Sequence, residues 1–169
     1  MSDLSKEQLE QRKQSEAKVV YSTLCSALTN RKWTYNKEDD NLIVRTSAVG
    51  DDLSMKLYIK VDANRSVMFL KSAMPFTVPQ ERIHDIMQAI TIANWAMLNG
   101  MFEMDMNDGY VGFKVVIPFM ESMLSEKLCN YMIDMSCRMI DIFNDKMLAV
   151  NEGKMTLGEF SRITKEAFN

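Results

Sequence analysis

The sequence predicts an α+β protein, an antiparallel sheet of about five strands with helices packed against it. Three observations predict that class. Leu53, Met55, Leu57, Ile59 and Val61 alternate with Ser54, Lys56, Tyr58 and Lys60, the period-two pattern of a strand with one buried and one wet face. The segments 79–99 and 125–151 carry apolar residues at helical spacing. Gly50-Asp51-Asp52, Asp62-Ala63-Asn64 and Asn107-Asp108-Gly109 are turns of hairpin size, so the strands they join run antiparallel.

The elements follow in order. Residues 5–30 form a helix through Leu9, Ala17, Val20, Leu24 and Leu28, with Asn30 as its stop. Its first half, Lys6 to Glu16, is nearly all polar and projects until Ala17 reaches the core. Trp33 to Tyr35 opens a strand that the acidic turn Glu38-Asp39-Asp40-Asn41 ends. Strands over 42–48, 53–61 and 66–71 then form a meander.

Pro75 and Pro79 bracket a loop, and Pro79 opens the middle helix, where its missing N–H costs nothing. That helix runs to Asn99, with Gly100 in the left-handed closing position. Met101 to Asp105 and Tyr110 to Ile117 are strands hinged on Asp108-Gly109, and Pro118 ends the second. A long helix spans 125–151, closed by Gly153. Thr156-x-x-Glu159 is a capping box that opens a short last helix to Ala167. The order is α-β-β-β-α-β-β-α plus a short C-terminal helix.

At 169 residues one domain is expected, 1–169, with 1–16 as a polar helical extension and 154–169 as the last helix. The 47% apolar and 25% charged fractions are those of a soluble globular chain. A net charge of −3 argues against a nucleic-acid binder that works by phosphate neutralisation. Met1 to Ser15 is too charged for a signal peptide, and no apolar run is long enough to span a bilayer, so a cytoplasmic protein is expected.

Chemistry is scarce. Cys25, Cys129 and Cys137 lie in helical patterns without C-x-x-C spacing and read as free thiols in the core. The 16 methionines suit either core filling or an adaptable contact surface. Asp105, Asn107, Asp108 and Gly109 fail as an EF-hand, because Met104 stands where the first ligand belongs and Val115 where the last does. His84 has no nucleophile beside it and reads as a solvated helix residue. Glu38-Asp39-Asp40 and Asp51-Asp52 would gather a cation only if two turns converged, and otherwise read as solvated. No catalytic residue, cofactor or metal is expected, and the chain reads as a non-enzyme.

The middle helix says more. Ile83, Ile86, Met87, Ile90, Ala93, Met97 and Leu98 form a broad stripe that covers the sheet. Off that stripe, Trp95 projects near His84, Gln88 and Thr91, while Ile92 lies close to Ala89 and Ala96 on the far side; Ala89, Ile92, Trp95 and Ala96 are expected to form or border a homodimer interface.

Leu70 to Met74 before Val78-Pro79, Asn94 in the middle helix, Gly100-x-Phe102, and Asp108-Gly109 followed by Val111 and Phe113 together resemble the YbjN family of bacterial proteins, described as sensory transduction regulators. The resemblance covers residues 17–151. It implies a fold like that of type III secretion chaperones, a twisted antiparallel sheet with helices on one face, usually paired as a homodimer. It supplies no catalytic residues. The function this implies is a chaperone-like or regulatory module that holds a peptide or helix of a partner protein, without nucleic acid or membrane. The alternative is a small-molecule-responsive regulator with a pocket between sheet and helices.

Overall fold

The computed structural model describes residues 5–51 and 53–168. The elements are α1 (Lys6–Asn30), β1 (Tyr35–Glu38), β2 (Ile43–Val49), β3 (Ser54–Asp62), β4 (Val67–Thr77), α2 (Ile83–Ala96), β5 (Met101–Asp105), β6 (Tyr110–Pro118), α3 (Glu126–Asn151) and α4 (Leu157–Phe168). The fold is α+β as expected. The six strands form one antiparallel sheet in the order β1-β2-β3-β4-β6-β5, so β1 and β5 are its edges.

The strand expected to open over Trp33 to Tyr35 is β1, Tyr35–Glu38, and it brings the sheet to six strands. It pairs Tyr35 with Thr46 and Glu38 with Ile43. Its four residues are half-exposed or exposed throughout, so no apolar alternation marks it in the sequence. Strand β4 runs on through Pro75 to Thr77, beyond the expected end at Lys71. Its alternation continues with Met68, Leu70, Ser72 and Met74 buried, but the buried Ser72 and the exposed Ala73 hide that pattern from a hydropathy reading. The expected α2 stop at Asn99 is also corrected, since the helix ends at Ala96 with Met97 already extended. Gly100 does adopt φ +79, but at the entrance to β5.

The chain divides into two compact units. The first comprises Met1–Ala48, Lys56–Leu70 and Val116–Asp134. Here α1 buries Ala17, Val20, Tyr21, Leu24, Ala27 and Leu28, and β3 and β4 bury Leu57, Ile59, Val61, Met68 and Leu70. The polar first half of α1 is exposed as expected, opened by a capping box in which Ser5 and Gln8 exchange hydrogen bonds. It is tethered all the same, by Arg12 to Glu121 at 3.4 Å and by Lys13 Nζ to the Asn64 carbonyl at 3.4 Å.

The second unit comprises Val49–Met55, Lys71–Val115 and Met135–Asn169. Its centre is a chain of rings. Phe102 meets Phe113 edge-on at 5.0 Å and Phe143 at 5.6 Å, and Phe143 reaches Phe160 at 6.0 Å and Phe168 at 5.7 Å. Edge contacts of this kind add to the burial of each ring. The last helix starts on the expected capping box, with Thr156 N–H donating to Glu159 at 2.9 Å and Glu159 N–H to Thr156 Oγ1 at 3.2 Å. The backbone bond from Thr156 holds the Glu159 carboxyl below its usual range.

Candidate functional site

Helix α2 buries Ile83, Ile86, Ala89, Ile90 and Ala93. It packs on α4 and on β5. Of the four residues expected to form a contact surface, Ala89 is fully buried, Ile92 and Ala96 are half-buried, and Trp95 is 90% exposed. The expected sheet-covering stripe is corrected at two places. Met87 is largely exposed, and Leu98 lies wholly in solvent because the helix has ended before it.

The reason for that early end is Asn94. Its Oδ1 accepts from the Phe102 N–H at 2.8 Å, and its Nδ2 donates to the Phe102 carbonyl at 3.1 Å. Phe102 stands opposite Phe113 in the register of β5 and β6. Backbone groups of successive strand residues point to alternate sides, so those of Phe102 face away from β6, off the edge of the sheet. The Asn94 amide therefore occupies the place that a neighbouring strand would take. Chain bound to the edge in this way cannot continue the helix, and Met97 to Gly100 loop outward with Leu98 at their tip.

Next to this edge a hairpin returns through Gly109. The Gly109 N–H donates to the Asp105 carbonyl at 2.9 Å, and Asp105 and Asp108 carboxylates accept from Asn107 and Tyr110 backbone N–H groups at 2.9 and 2.8 Å. The acids that suggested a calcium loop are thus spent on the turn. On the outward face of β5, Glu103 bridges Lys71 at 2.8 Å and Lys114. Burial pushes this carboxyl upward, but the two lysines outweigh it and hold Glu103 below its usual range.

The other expected candidates carry no chemistry of their own. His84 is exposed on α2. Glu38 pairs with Arg45 at 2.9 Å, and Asp39 pairs with Lys37 at 3.1 Å and accepts the Tyr21 hydroxyl at 3.0 Å. Asp52 lies outside the described residues. Among the described residues no group of three His, Cys, Asp or Glu is placed to hold a metal ion. The cysteines are free thiols, Cys129 buried and Cys25 and Cys137 half-buried; burial pushes Cys129 up to about 11 and raises Cys25 as well. No helix among the described residues is long and apolar enough to cross a membrane.

Sequence reasoning missed two things here. Leu98 was placed in the buried stripe, and the signal against that was Asn94, an amide one turn before the Gly100 stop and able to reach the next strand. The role of Asn94 itself is tertiary and has no periodicity to announce it.

No protein-family model matches the sequence, and no curated protein matches it. Solved structures do. The chain is similar to YbjN of E. coli, a candidate transcription regulator, at TM-score 0.56 and 11% identity over 76% of this chain and 91% of that one. It is similar to a chain of the HopA1–SchA chaperone–effector complex at TM-score 0.51 and 12% identity, over 80% and 95% of the two chains. A chain of the ExsC–ExsE complex matches at TM-score 0.51 and 14% identity, over 74% and 92%. At such identities fold is what is shared. The chain has the YbjN-like, chaperone-like fold that its sequence motifs resemble.

Proposed function

We propose that this chain is a non-enzymatic, chaperone-like or regulatory binding module that holds a peptide or helix of a partner protein and works as a homodimer. The observation that carries the reading is the exposed apolar pair Trp95 and Leu98 at the end of α2, beside the edge strand β5. Full burial of a large apolar side chain contributes roughly 1.5–3 kcal/mol, so two such side chains left in water are a standing drive for association. Ile92 and Ala96 continue the surface at half burial, and Ala89 supports it from inside. Similarity of fold to chains taken from a chaperone–effector complex supports a protein as the partner. A small-molecule reading asks for an enclosed apolar cavity. The groove of about 590 Å³ beside β5 is instead open and lined by Lys71, Glu103, Asp105 and Tyr110.

The reading is tested with a photo-cross-linking residue in place of Leu98, in cells that normally make the protein. A defined cross-linked partner is expected, and Trp95→Asp is expected to remove it. Light scattering of the purified chain should give a dimer that Ile92→Glu shifts toward monomer while circular dichroism stays native. A monomeric parent removes the dimer claim, and cross-links that scatter over many proteins or survive Trp95→Asp overturn the binding site.

A further inference from the structure

The open face of the first unit carries a second arrangement, centred on Tyr58. Lys56 and Lys60 stand two residues either side of it on β3 and project from the same face. Across the strands, the Arg45 guanidinium lies 4.9 Å from the Tyr58 ring centroid, and the Phe69 ring lies 6.1 Å on the other side. Two half-buried rings are thus ringed by three cations. Arg45 is held in place by Glu38 Oε1 at 2.9 Å. Lys56 and Lys60 take part in no ion pair among the described residues, and the acid at the end of β3, Asp62, is engaged by its own turn through Arg65. A chain of net charge −3 thus keeps two lysines outside any ion pair among the described residues on this face, beside an arginine that Glu38 already meets.

A groove of about 400 Å³ opens beside Lys56 and Tyr58, lined also by Tyr35, Arg45 and Ser47 of the two neighbouring strands. Lys56 and Lys60 are about 13 Å apart along the strand, the distance between residues i and i+4 of any extended peptide. A segment laid along β3 therefore brings acids at i and i+4 to the two lysines and sets an apolar residue at i+2 over Tyr58 and Phe69. Stacking of nucleic-acid bases needs free ring faces, and Arg45 and Phe69 already flank Tyr58.

We propose that this face is a docking surface for an extended acidic segment of a partner protein, read by Lys56, Lys60 and Arg45 through its carboxylates and by Tyr58 and Phe69 through an apolar side chain between them. The proposal rests on the reading that the chain holds a partner segment, and it names the chemistry of that segment. Exposed charge pairs are individually weak and screened by salt, so affinity depends on their number and falls as ionic strength rises.

The test is fluorescence anisotropy of the full chain with a labelled peptide, Glu-Thr-Leu-Thr-Glu-Thr-Leu-Thr-Glu, which presents Glu and Leu alternately on one face. Its Lys-for-Glu counterpart and a nine-nucleotide oligothymidylate are the comparison probes. The acidic peptide is expected to bind in a salt-dependent way and the basic one not to bind. Lys56→Gln with Lys60→Gln is expected to weaken binding about tenfold while circular dichroism stays native. Equal binding of both peptides, tighter binding of the oligonucleotide, or indifference to the double change overturns the proposal. Cross-linking from position 98 in the chain with Lys56 and Lys60 unchanged, set beside that chain's acidic-peptide binding, separates the two claims. A partner still captured there, with no acidic-peptide binding, ends this inference and leaves the function standing; capture lost at 98 with peptide binding intact does the reverse.

Discussion

Gly109 is the residue at which the smallest change should do the most harm. It holds φ +72, and its carbonyl accepts the Val78 N–H at 2.9 Å, docking the β5–β6 hairpin on the segment that precedes α2. A Cβ added here would lie 3.0 Å from the Val78 nitrogen and carbonyl carbon and closer still to its oxygen. Two costs follow for Gly109→Ala. The left-handed backbone costs about 1 kcal/mol for a residue with a Cβ. Relief of the clash separates the two backbones and strands a buried Val78 N–H, which costs roughly 1–3 kcal/mol. The sum is about 3 kcal/mol, and for a chain of this size it lowers Tm by about 6–12 °C. Gly109→Val should cost more, because branching at Cβ adds to the strain. Gly109→Asn discriminates between the two terms: asparagine tolerates the left-handed region but keeps the Cβ, so it should fall nearly as far as alanine. Urea denaturation reads all three. A loss below about 0.5 kcal/mol for Gly109→Ala would refute both the φ argument and the close approach.

Leu57→Ala and Phe113→Ala remove side chains that are almost wholly buried, and each should cost roughly 2–5 kcal/mol in denaturation. Losses below about 0.5 kcal/mol at both would mean that the strand faces are reversed. Asn94→Ala uncovers both backbone groups of Phe102 and should cost about 1–3 kcal/mol and raise the tendency to aggregate on heating, since it opens the edge of β5; unchanged melting and turbidity would rule out the edge role. Glu103 has a folded pKa below its unfolded value, so its contribution is present above the unfolded pKa and is lost as pH falls through the folded one. Glu103→Gln should therefore destabilise near neutral pH by at most about 1 kcal/mol and match the parent in acid, and a gap that persists in acid would refute the pairing with Lys71 and Lys114.

Much of the fold was legible because burial imposes a period. The alternation from Leu53 to Val61 located β3 within one residue, and the spacing of Leu128, Met132, Met139, Phe143 and Met147 located α3 equally well. Turn chemistry located the Gly109 hinge, and a local hydrogen-bond pair located the start of α4. What escaped has no such period. Ser72 interrupts the apolar side of β4, while β1, an edge strand with no buried face of its own, was marked only by Trp33 to Tyr35 and the turn that ends it. The end of α2 is decided by a side chain that bonds a strand eight residues later. For the candidate surface on α2, a helical wheel carries no information on where the helix stops or what covers it: Ala89 lies inside, and Leu98, beyond the end at Ala96, lies outside.

The way α2 ends also limits how this edge can recognise anything. An added strand needs outward N–H and C=O groups at alternate residues of β5, which are Phe102 and Met104. At Phe102 both groups are already engaged by Asn94, so an incoming strand meets an occupied backbone within the first turn of its register. Only Met104 offers a free pair on that side among the described residues, and one residue is too little to hold a strand. On the proposed binding role, recognition here falls to side chains: Trp95 and Leu98 at the head of β5 and half-exposed Met104 near its end. A large ring, a branched aliphatic chain and an unbranched thioether accept many apolar shapes and specify few of them. Selectivity for a partner then has to come from charge and spacing elsewhere. The face proposed as an acid-binding surface around Tyr58, in the first unit, has cations at such a spacing.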